Sequence, residues 1–144
     1  MFHRQTLTLF AALLLTAGLA AAGPILTPPQ AYDQAKAGTV TLIDVRTPAE
    51  WRDTGVPAGA VAIDMQDPKG PDGFAEAVLA QVHGDHAAPI AVICRSGNRS
   101  TRVQEALESR GFTNVANVKE GVSGGANGPG WLKRELPVTA CKNC

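Results

Sequence analysis

The sequence predicts an α/β fold, a sandwich whose central sheet is mostly parallel. Short apolar, β-branched runs recur along the chain, and such runs are typical of strands that are buried on both faces. Segments with helical spacing that end at glycine separate these runs. Strands that alternate with helices indicate a parallel sheet. Neither an internal repeat nor a second core is visible in the 144 residues, so we expect one domain.

Helices are expected where caps and helix-spaced apolar residues coincide. The four expected helices follow Thr27, follow the capping box of Thr47 and Glu50, and occupy residues 74–82 and 101–110. The expected strands are residues 40–45, 61–63, 89–93 and 115–118. Two glycine-containing stretches, residues 67–73 and 121–130, are expected to form loops.

Charge and composition exclude several classes of protein. Lys and Arg together number 13, as do Asp and Glu, and 44% of the residues are hydrophobic. A hydrophobic fraction of this size is typical of a globular core and argues against disorder. Because there is no basic excess, no nucleic-acid partner is expected. Any recognition of an anion must come from a local arrangement of charges.

The first 22 residues have the features of a signal peptide. One cation, Arg4, precedes an uncharged apolar stretch over residues 6–22, which closes with the small residues Ala20 to Ala22. The apolar core is short for a membrane-spanning helix, so no stable membrane insertion is expected after cleavage near Ala22. We therefore expect a periplasmic protein with a domain over residues 23–138 and a C-terminal tail over residues 139–144.

The most informative cysteine follows the clearest strand. Cys94 comes directly after residues 89–93 and before a polar turn, residues 95–100, with the sequence Arg-Ser-Gly-Asn-Arg-Ser. Gly97 permits a tight turn whose successive N–H groups can face one anion. The following helix N-terminus and the charges of Arg95 and Arg99 also favour a thiolate. Cys94 is therefore a candidate nucleophile, with an inert buried thiol as the alternative.

Four segments of the sequence resemble the rhodanese homology domain. The similar segments are residues 94–100, residues 42–51, residues 55–60, and residues 121–125 with Trp131. The resemblance implies a rhodanese-like three-layer sandwich and a sulfurtransferase of the thiosulfate sulfurtransferase type. Related phosphatase domains have five residues between cysteine and arginine, whereas four residues separate Cys94 from Arg99. The shorter loop favours a sulfur-sized target over a phosphate.

The same resemblance implies how the site works. Cys94 would take sulfane sulfur from a small anionic donor such as thiosulfate, hold it as a persulfide, and pass it to a thiol or cyanide. Backbone N–H groups of the substrate-binding loop would hold the anion, and this loop comprises Arg95, Ser96, Gly97, Asn98, Arg99 and Ser100. Asp44 and Arg46 would support the loop, although an ordinary ion pair is an equal alternative. Neither a metal nor an organic cofactor is implied.

The two remaining cysteines lie beyond the similar segments. Cys141 and Cys144 form a C-x-x-C pair, and in an oxidising compartment a disulfide is the plainest interpretation. A relay of sulfur or electrons to and from Cys94 is a second hypothesis, and half of a metal site is a third. The alternative functions for the whole chain are a sulfur carrier or redox relay for a protein partner, an inert interaction domain, and a phosphatase.

Overall fold

The computed structural model describes residues 23–144, so the expected signal peptide lies outside the described residues. The helices are α1 (Pro28–Lys36), α2 (Pro48–Thr54), α3 (Gly70–Gln81), α4 (Asn98–Glu108) and α5 (Gly130–Lys133). The strands are β1 (Thr41–Asp44), β2 (Val56–Pro57), β3 (Val61–Ala62), β4 (Ile90–Ile93), β5 (Val115–Asn117) and β6 (Val138–Thr139).

Four strands form a parallel sheet in the order β3-β1-β4-β5. Separately, β2 and β6 form a small antiparallel ribbon. The predicted α/β fold with a mostly parallel central sheet is confirmed. In a parallel sheet all carboxyl ends lie at one edge, so the loops that follow β1 and β4 begin side by side.

The sheet separates two hydrophobic clusters, because alternate strand residues point to opposite faces. Ile43 and Val92 pack with α3 and α4 on one face, in a cluster that also contains Cys94. Leu42 and Ile93 pack on the other face with α1 and Trp131 of α5. Helices therefore cover both faces, and the expected three-layer arrangement is confirmed.

Two predicted helix starts are wrong by about one turn. We expected a loop through Gly73, but α3 begins at Gly70, where the N–H bonds to the carbonyl oxygen of Asp67 at 2.8 Å. Pro71 fits the first turn of a helix, which needs no N–H donor there. Likewise, α4 begins at Asn98 instead of residue 101, because Gly97 turns the chain with φ of +100°. The loop after Cys94 is therefore shorter than expected.

The first described residues continue the sheet. Asn117 in β5 donates its N–H to the carbonyl oxygen of Pro24 at 2.9 Å and accepts from the N–H of Leu26 at 3.0 Å. The chain is therefore ordered against β5 directly after the expected cleavage position. Over residues 23–144, none of the helices has the length and apolarity that crossing a membrane requires.

Candidate active site

Cys94 stands at the carboxyl end of β4, the strand between β1 and β5. The segment after β5 holds the chain at Cys94 and at the next residue: Val122 donates its N–H to the carbonyl oxygen of Cys94 at 2.8 Å, and Ser123 donates to that of Arg95 at 2.9 Å. The residue as a whole is 1% exposed. Cys94 is thus fixed in position, with only a small part of its surface accessible.

Hydrogen-bonding groups of the following turn converge on the sulfur. The N–H of Gly97 donates to Sγ of Cys94 at 3.1 Å, and the Cys94 thiol donates to the hydroxyl oxygen of Ser100 at 3.4 Å. Once the thiol has lost its proton, this hydroxyl can donate to the thiolate instead. Ser100 is in the first turn of α4, so the positive end of the helix faces the sulfur as well. The predicted concavity of backbone N–H groups is present, although it is made in part by the helix itself.

These contacts determine the ionisation of Cys94. Burial by itself would raise the pKa of the thiol. The hydroxyl of Ser100 and the N–H groups of Ser100, Gly97 and Ser96 outweigh that effect, and the pKa of Cys94 lies below its usual range. The thiolate is therefore populated more readily than in a free cysteine, which is the condition for a nucleophilic role.

Glycine is required at two points where backbone meets backbone. Gly97 has φ of +100°, and a Cβ there would collide with the carbonyl oxygen of Lys119. Gly121 has φ of +76°, and a Cβ there would collide with the carbonyl group of Arg95. The turn after Cys94 and the glycine-containing segment after β5 are therefore packed on each other without intervening side chains.

A cavity of about 560 Å³ opens over the sulfur. Its lining consists of Glu50, Asp53, Cys94, Arg95, Ser96, Asn98, Arg99 and Arg102. All six loop residues predicted to bind substrate lie at this cavity or at the sulfur. Arg95, Ser96, Asn98 and Arg99 line the cavity, and Gly97 and Ser100 contact the sulfur. The cavity wall carries cationic, anionic and hydroxyl groups together.

Sequence reasoning missed three residues of this wall. Arg102, which lies outside the predicted substrate-binding loop, lines the cavity together with Arg99. Once α4 is known to begin at Asn98, the spacing of three residues places both arginines on one face. Glu50 and Asp53 come from α2, far away in the sequence, and no local pattern could have found them.

Arg99 is already paired with a carboxylate. Its guanidinium group donates to both carboxylate oxygens of Glu50, at 2.7 and 2.5 Å. The hydrogen bond from Arg99 lowers the pKa of Glu50 from 4.5 to about 2, against the opposing effect of burial. Glu50 also accepts from the N–H of Thr47, so the predicted capping box and the ion pair share one carboxylate. Much of the positive charge of Arg99 is therefore balanced.

Asp44 and Arg46 form a buried pair at the end of β1, with relative side-chain exposures of 0% and 1%. Arg46 Nη2 lies 2.8 Å from the carboxylate of Asp44 and also donates to the carbonyl oxygen of Gly55 at 2.8 Å. Arg46 Nη1 donates to the hydroxyl of Thr54. These bonds hold the C-terminal end of α2, the helix whose first turn carries Glu50.

A third ion pair holds the segment that packs on the turn. Glu120 accepts from Arg134 at 2.7 and 2.8 Å and from the N–H of Gly130 at 3.0 Å. The hydrogen bond from Arg134 is the main cause of a lowered pKa at Glu120. The glycine-containing segment is therefore closed into a fixed loop between residues 120 and 130.

Of the C-terminal cysteines, Cys141 lines a groove along the last residues of α2. Cys141 and Cys144 are joined as a disulfide, with their Cα atoms 5.6 Å apart. Over residues 23–144, no group of three or more histidine, cysteine or acidic residues is arranged to hold a metal ion. β6 begins at Val138, so the ribbon with β2 crosses the expected boundary between domain and tail.

The fold and the site together define an α/β protein with an activated cysteine at the carboxyl edge of a parallel sheet. The family model described as the Rhodanese-like domain matches residues 27–127, and the chain belongs to this family. The matched range contains Cys94 and the whole turn that surrounds it. It ends before α5, β6 and the cysteine pair.

Solved structures and curated relatives agree with this family. Rv0390 from M. tuberculosis is 33% identical with a TM-score of 0.63, over 85% of this chain and 100% of that one. The polysulfide-sulfur transferase homodimer from Wolinella succinogenes is 27% identical with a TM-score of 0.62, over 85% of this chain and 82% of that one. An uncharacterized protein of Rickettsia conorii is 31% identical over 102 residues, which cover 67% of this chain and 80% of that protein.

Proposed function

We propose that this protein is an exported sulfurtransferase that carries sulfane sulfur as a persulfide on Cys94. The observation that carries the proposal is the convergence of the Gly97 N–H and the Ser100 hydroxyl on the sulfur atom. This arrangement stabilises a thiolate before the reaction and a persulfide anion after it, because both species are negatively charged at the same place.

The donor in this proposal is a small anion such as thiosulfate. The Cys94 thiolate attacks the outer sulfur of thiosulfate, the sulfur–sulfur bond of the donor breaks, and sulfite leaves with the bonding electron pair. Arg95 and Arg102 line the cavity and form no ion pair within residues 23–144, so they can attract the donor and stabilise the departing sulfite. A thiol or cyanide then attacks the outer sulfur of the persulfide and restores the thiolate.

The relatives support sulfur transfer as the class of reaction. The Wolinella succinogenes protein is named a polysulfide-sulfur transferase, and its likeness spans most of both chains. Polysulfide is also an anionic carrier of sulfane sulfur, so it fits the same cavity chemistry as thiosulfate. We keep both donors within the proposal because the proposed recognition depends on the charge and size of the donor.

An enzyme assay tests the proposal directly. Purified protein is given thiosulfate and cyanide, and thiocyanate is measured over time for the wild type, Cys94→Ser and Cys141→Ser. Thiocyanate should form with the wild type and with Cys141→Ser, whereas Cys94→Ser should reduce the rate at least about a hundredfold because the nucleophile is lost. Equal rates for the wild type and Cys94→Ser would overturn the proposal.

The mass of the protein gives an independent check. When the disulfide between Cys141 and Cys144 is intact, exposure to thiosulfate without an acceptor should make the peptide that contains Cys94 heavier by about 32 Da, the mass of one sulfur atom. Treatment with cyanide should remove the added mass. An adduct that persists in cyanide would contradict a persulfide at this position.

A further inference from the structure

A second pair of sulfur atoms lies at a groove that shares one lining residue, Asp53, with the cavity over Cys94. Two backbone contacts bring the C-terminal residues there: Val56 of β2 pairs with Thr139 of β6, and Ala58 donates its N–H to the carbonyl oxygen of Pro137 at 3.0 Å. The chain then runs along the end of α2. A groove of about 570 Å³ results, lined by Arg52, Asp53, Thr54, Gly55, Val138, Ala140, Cys141 and Lys142.

The groove and the cavity over Cys94 share a wall. Asp53 lines both, whereas Glu50 lines only the cavity and Arg52 only the groove. Glu50 and Asp53 are three residues apart on α2, so their side chains are neighbours on the helix surface. The two sulfur sites are therefore on adjoining faces of one short helix.

The two cysteines of the pair have different positions. Cys141 lines the groove, while Cys144 is outside its lining and is held through its carbonyl oxygen by the guanidinium group of Arg52. Of the two cysteines, Cys141 is thus the one that lines the same groove as Asp53. Cys144 lies behind it, within bonding reach of Cys141.

We propose, on the basis of the sulfurtransferase function inferred above, that Cys141 and Cys144 in their reduced form are the built-in acceptor for sulfur carried by Cys94. The Cys141 thiolate attacks the outer sulfur of the Cys94 persulfide. The sulfur–sulfur bond of the persulfide breaks, and Cys94 leaves as a thiolate. The transferred sulfur is now the outer atom of a persulfide on Cys141.

The second step releases the sulfur as sulfide. The Cys144 thiolate attacks Sγ of Cys141, a disulfide forms between the two cysteines, and hydrosulfide leaves. The sulfane sulfur gains two electrons, the two thiols lose two, and the two thiol protons pass to the hydrosulfide and to solvent. The disulfide in the structure is the product of this step. A dithiol reductant from outside the chain restores the reduced pair.

The location of Cys94 gives such an acceptor an advantage. Cys94 is 1% exposed, so a thiol on a folded partner protein meets the walls of the cavity before it reaches the sulfur. A thiol on a short segment of the same chain is already beside the cavity and has a high effective concentration. The proposed function therefore extends from sulfur transfer to the reduction of sulfane sulfur to sulfide.

A single-turnover experiment tests this proposal on the full chain. The protein is reduced with dithiothreitol, freed of reductant without air, and mixed with one equivalent of thiosulfate. The wild type should release close to one equivalent of sulfide, and the peptide with residues 141–144 should become lighter by about 2 Da as the disulfide forms. A wild type that keeps the sulfur on Cys94 while its tail thiols remain reduced would overturn the proposal.

Variants of the two C-terminal cysteines test whether each of them is required for sulfide release. Cys141→Ser and Cys144→Ser should each release at least about tenfold less sulfide and should retain an added mass of about 32 Da. Asn143→Ser, which lies between the cysteines and contains no sulfur, is the matched control and should behave as the wild type. Sulfide release from Cys141→Ser or Cys144→Ser at the wild-type level would contradict the proposal.

Dilution distinguishes transfer within one chain from transfer between two chains. The rate constant for sulfide release should stay the same when the protein is diluted tenfold, and a rate constant proportional to concentration would contradict transfer within one chain.

Thiocyanate formation separates this proposal from the function on which it rests. Thiocyanate without sulfide release overturns only the built-in acceptor, whereas the absence of both thiocyanate and a Cys94 adduct overturns both.

Discussion

At the scale of single residues, the reactivity of Cys94 depends on a few hydrogen bonds around one sulfur atom. Among the described residues, the hydroxyl of Ser100 is the only side-chain group that hydrogen-bonds with the sulfur, and the other bonds come from the backbone. Substitution of Ser100 can therefore remove one contribution to the lowered pKa without altering the path of the backbone. The residue that makes the turn possible, Gly97, acts through its backbone instead.

Ser100→Ala should raise the pKa of Cys94. The variant loses the hydroxyl that lies 3.4 Å from Sγ, so the thiolate is less stabilised and forms only at higher pH. The pH dependence of alkylation by iodoacetamide measures this change, and its midpoint should move upward. Ser96→Ala removes a hydroxyl that makes no hydrogen bond among the described residues and serves as the control. An unchanged midpoint in Ser100→Ala would show that the hydroxyl does not stabilise the thiolate.

Gly97→Ala should damage both stability and activity. The left-handed backbone and the collision with the Lys119 carbonyl oxygen should together cost roughly 3 kcal/mol of unfolding free energy. Gly38→Ala is the matched control, because Gly38 has φ of +72° with nothing within 4 Å of the added Cβ. That variant should lose about 1 kcal/mol and keep full activity. Urea denaturation measures both values, and equal losses would contradict the proposed collision.

At the scale of secondary-structure elements, α2 connects the parts of the site. Its first turn carries the Glu50 carboxylate that holds Arg99 of α4, and its last turn is held to β1 by Arg46. One helix of seven residues thus connects the loop after β1 with the loop after β4, both at the carboxyl edge of the sheet. Two predictions concern these connections.

The ion pair between Glu50 and Arg99 should make stability depend on pH. The pKa of Glu50 falls from 4.5 to about 2 in the folded state, so its stabilising effect is fully present above pH 4.5 and is lost as the pH falls towards 2. Glu50→Gln keeps a capping acceptor but removes the charge. It should be less stable than the wild type at pH 7, and the difference should narrow on acidification.

Urea denaturation at several pH values measures this difference. Glu105→Gln on the exposed side of α4 is the control, because Glu105 forms no ion pair within residues 23–144. Its stability relative to the wild type should change little between pH 7 and pH 3. A gap between Glu50→Gln and the wild type that stayed constant over the same range would refute the electrostatic explanation.

The buried pair of Asp44 and Arg46 should matter more than an exposed one. Arg46→Met leaves the carboxylate of Asp44 buried without its partner, and such a loss typically costs about 3 to 5 kcal/mol. Arg110→Met removes an arginine from the exposed pair with Asp72 and should cost less than about 1 kcal/mol. Chemical denaturation compares the two variants. Similar costs would mean that α2 does not depend on Arg46.

At the scale of the whole molecule, local signals predicted most of the fold and the centre of the site. Thr27 and Thr47 mark the starts of α1 and α2 because helix caps act over a few residues. The ribbon of β2 and β6 was not predicted, because its two-residue strands pair across the whole domain. The Glu50 and Arg99 pair was missed for the same reason, since no local pattern records a contact over 49 residues.

Export also concerns the whole molecule, because removal of a signal peptide would determine which residues fold and in which compartment. If residues 1–22 are a signal peptide, the mature protein should begin at or next to Gly23, beside the residues that bond to β5. Expression of the full sequence in a bacterium, followed by fractionation and N-terminal sequencing, measures this. The mature form should be found in the periplasmic fraction. An intact N-terminus in the cytoplasm would contradict export.

The packing of Cys94 into a hydrophobic cluster determines on which side a transferred sulfur atom could lie. The cysteine closes the end of the cluster formed by the sheet, α3 and α4, which is filled by buried side chains. In the proposed function, the outer sulfur of a Cys94 persulfide therefore has room only on the side of the cavity. An acceptor that is small enough to enter the cavity should take this sulfur without any opening of the protein, whereas a thiol on a bulky partner should not reach it.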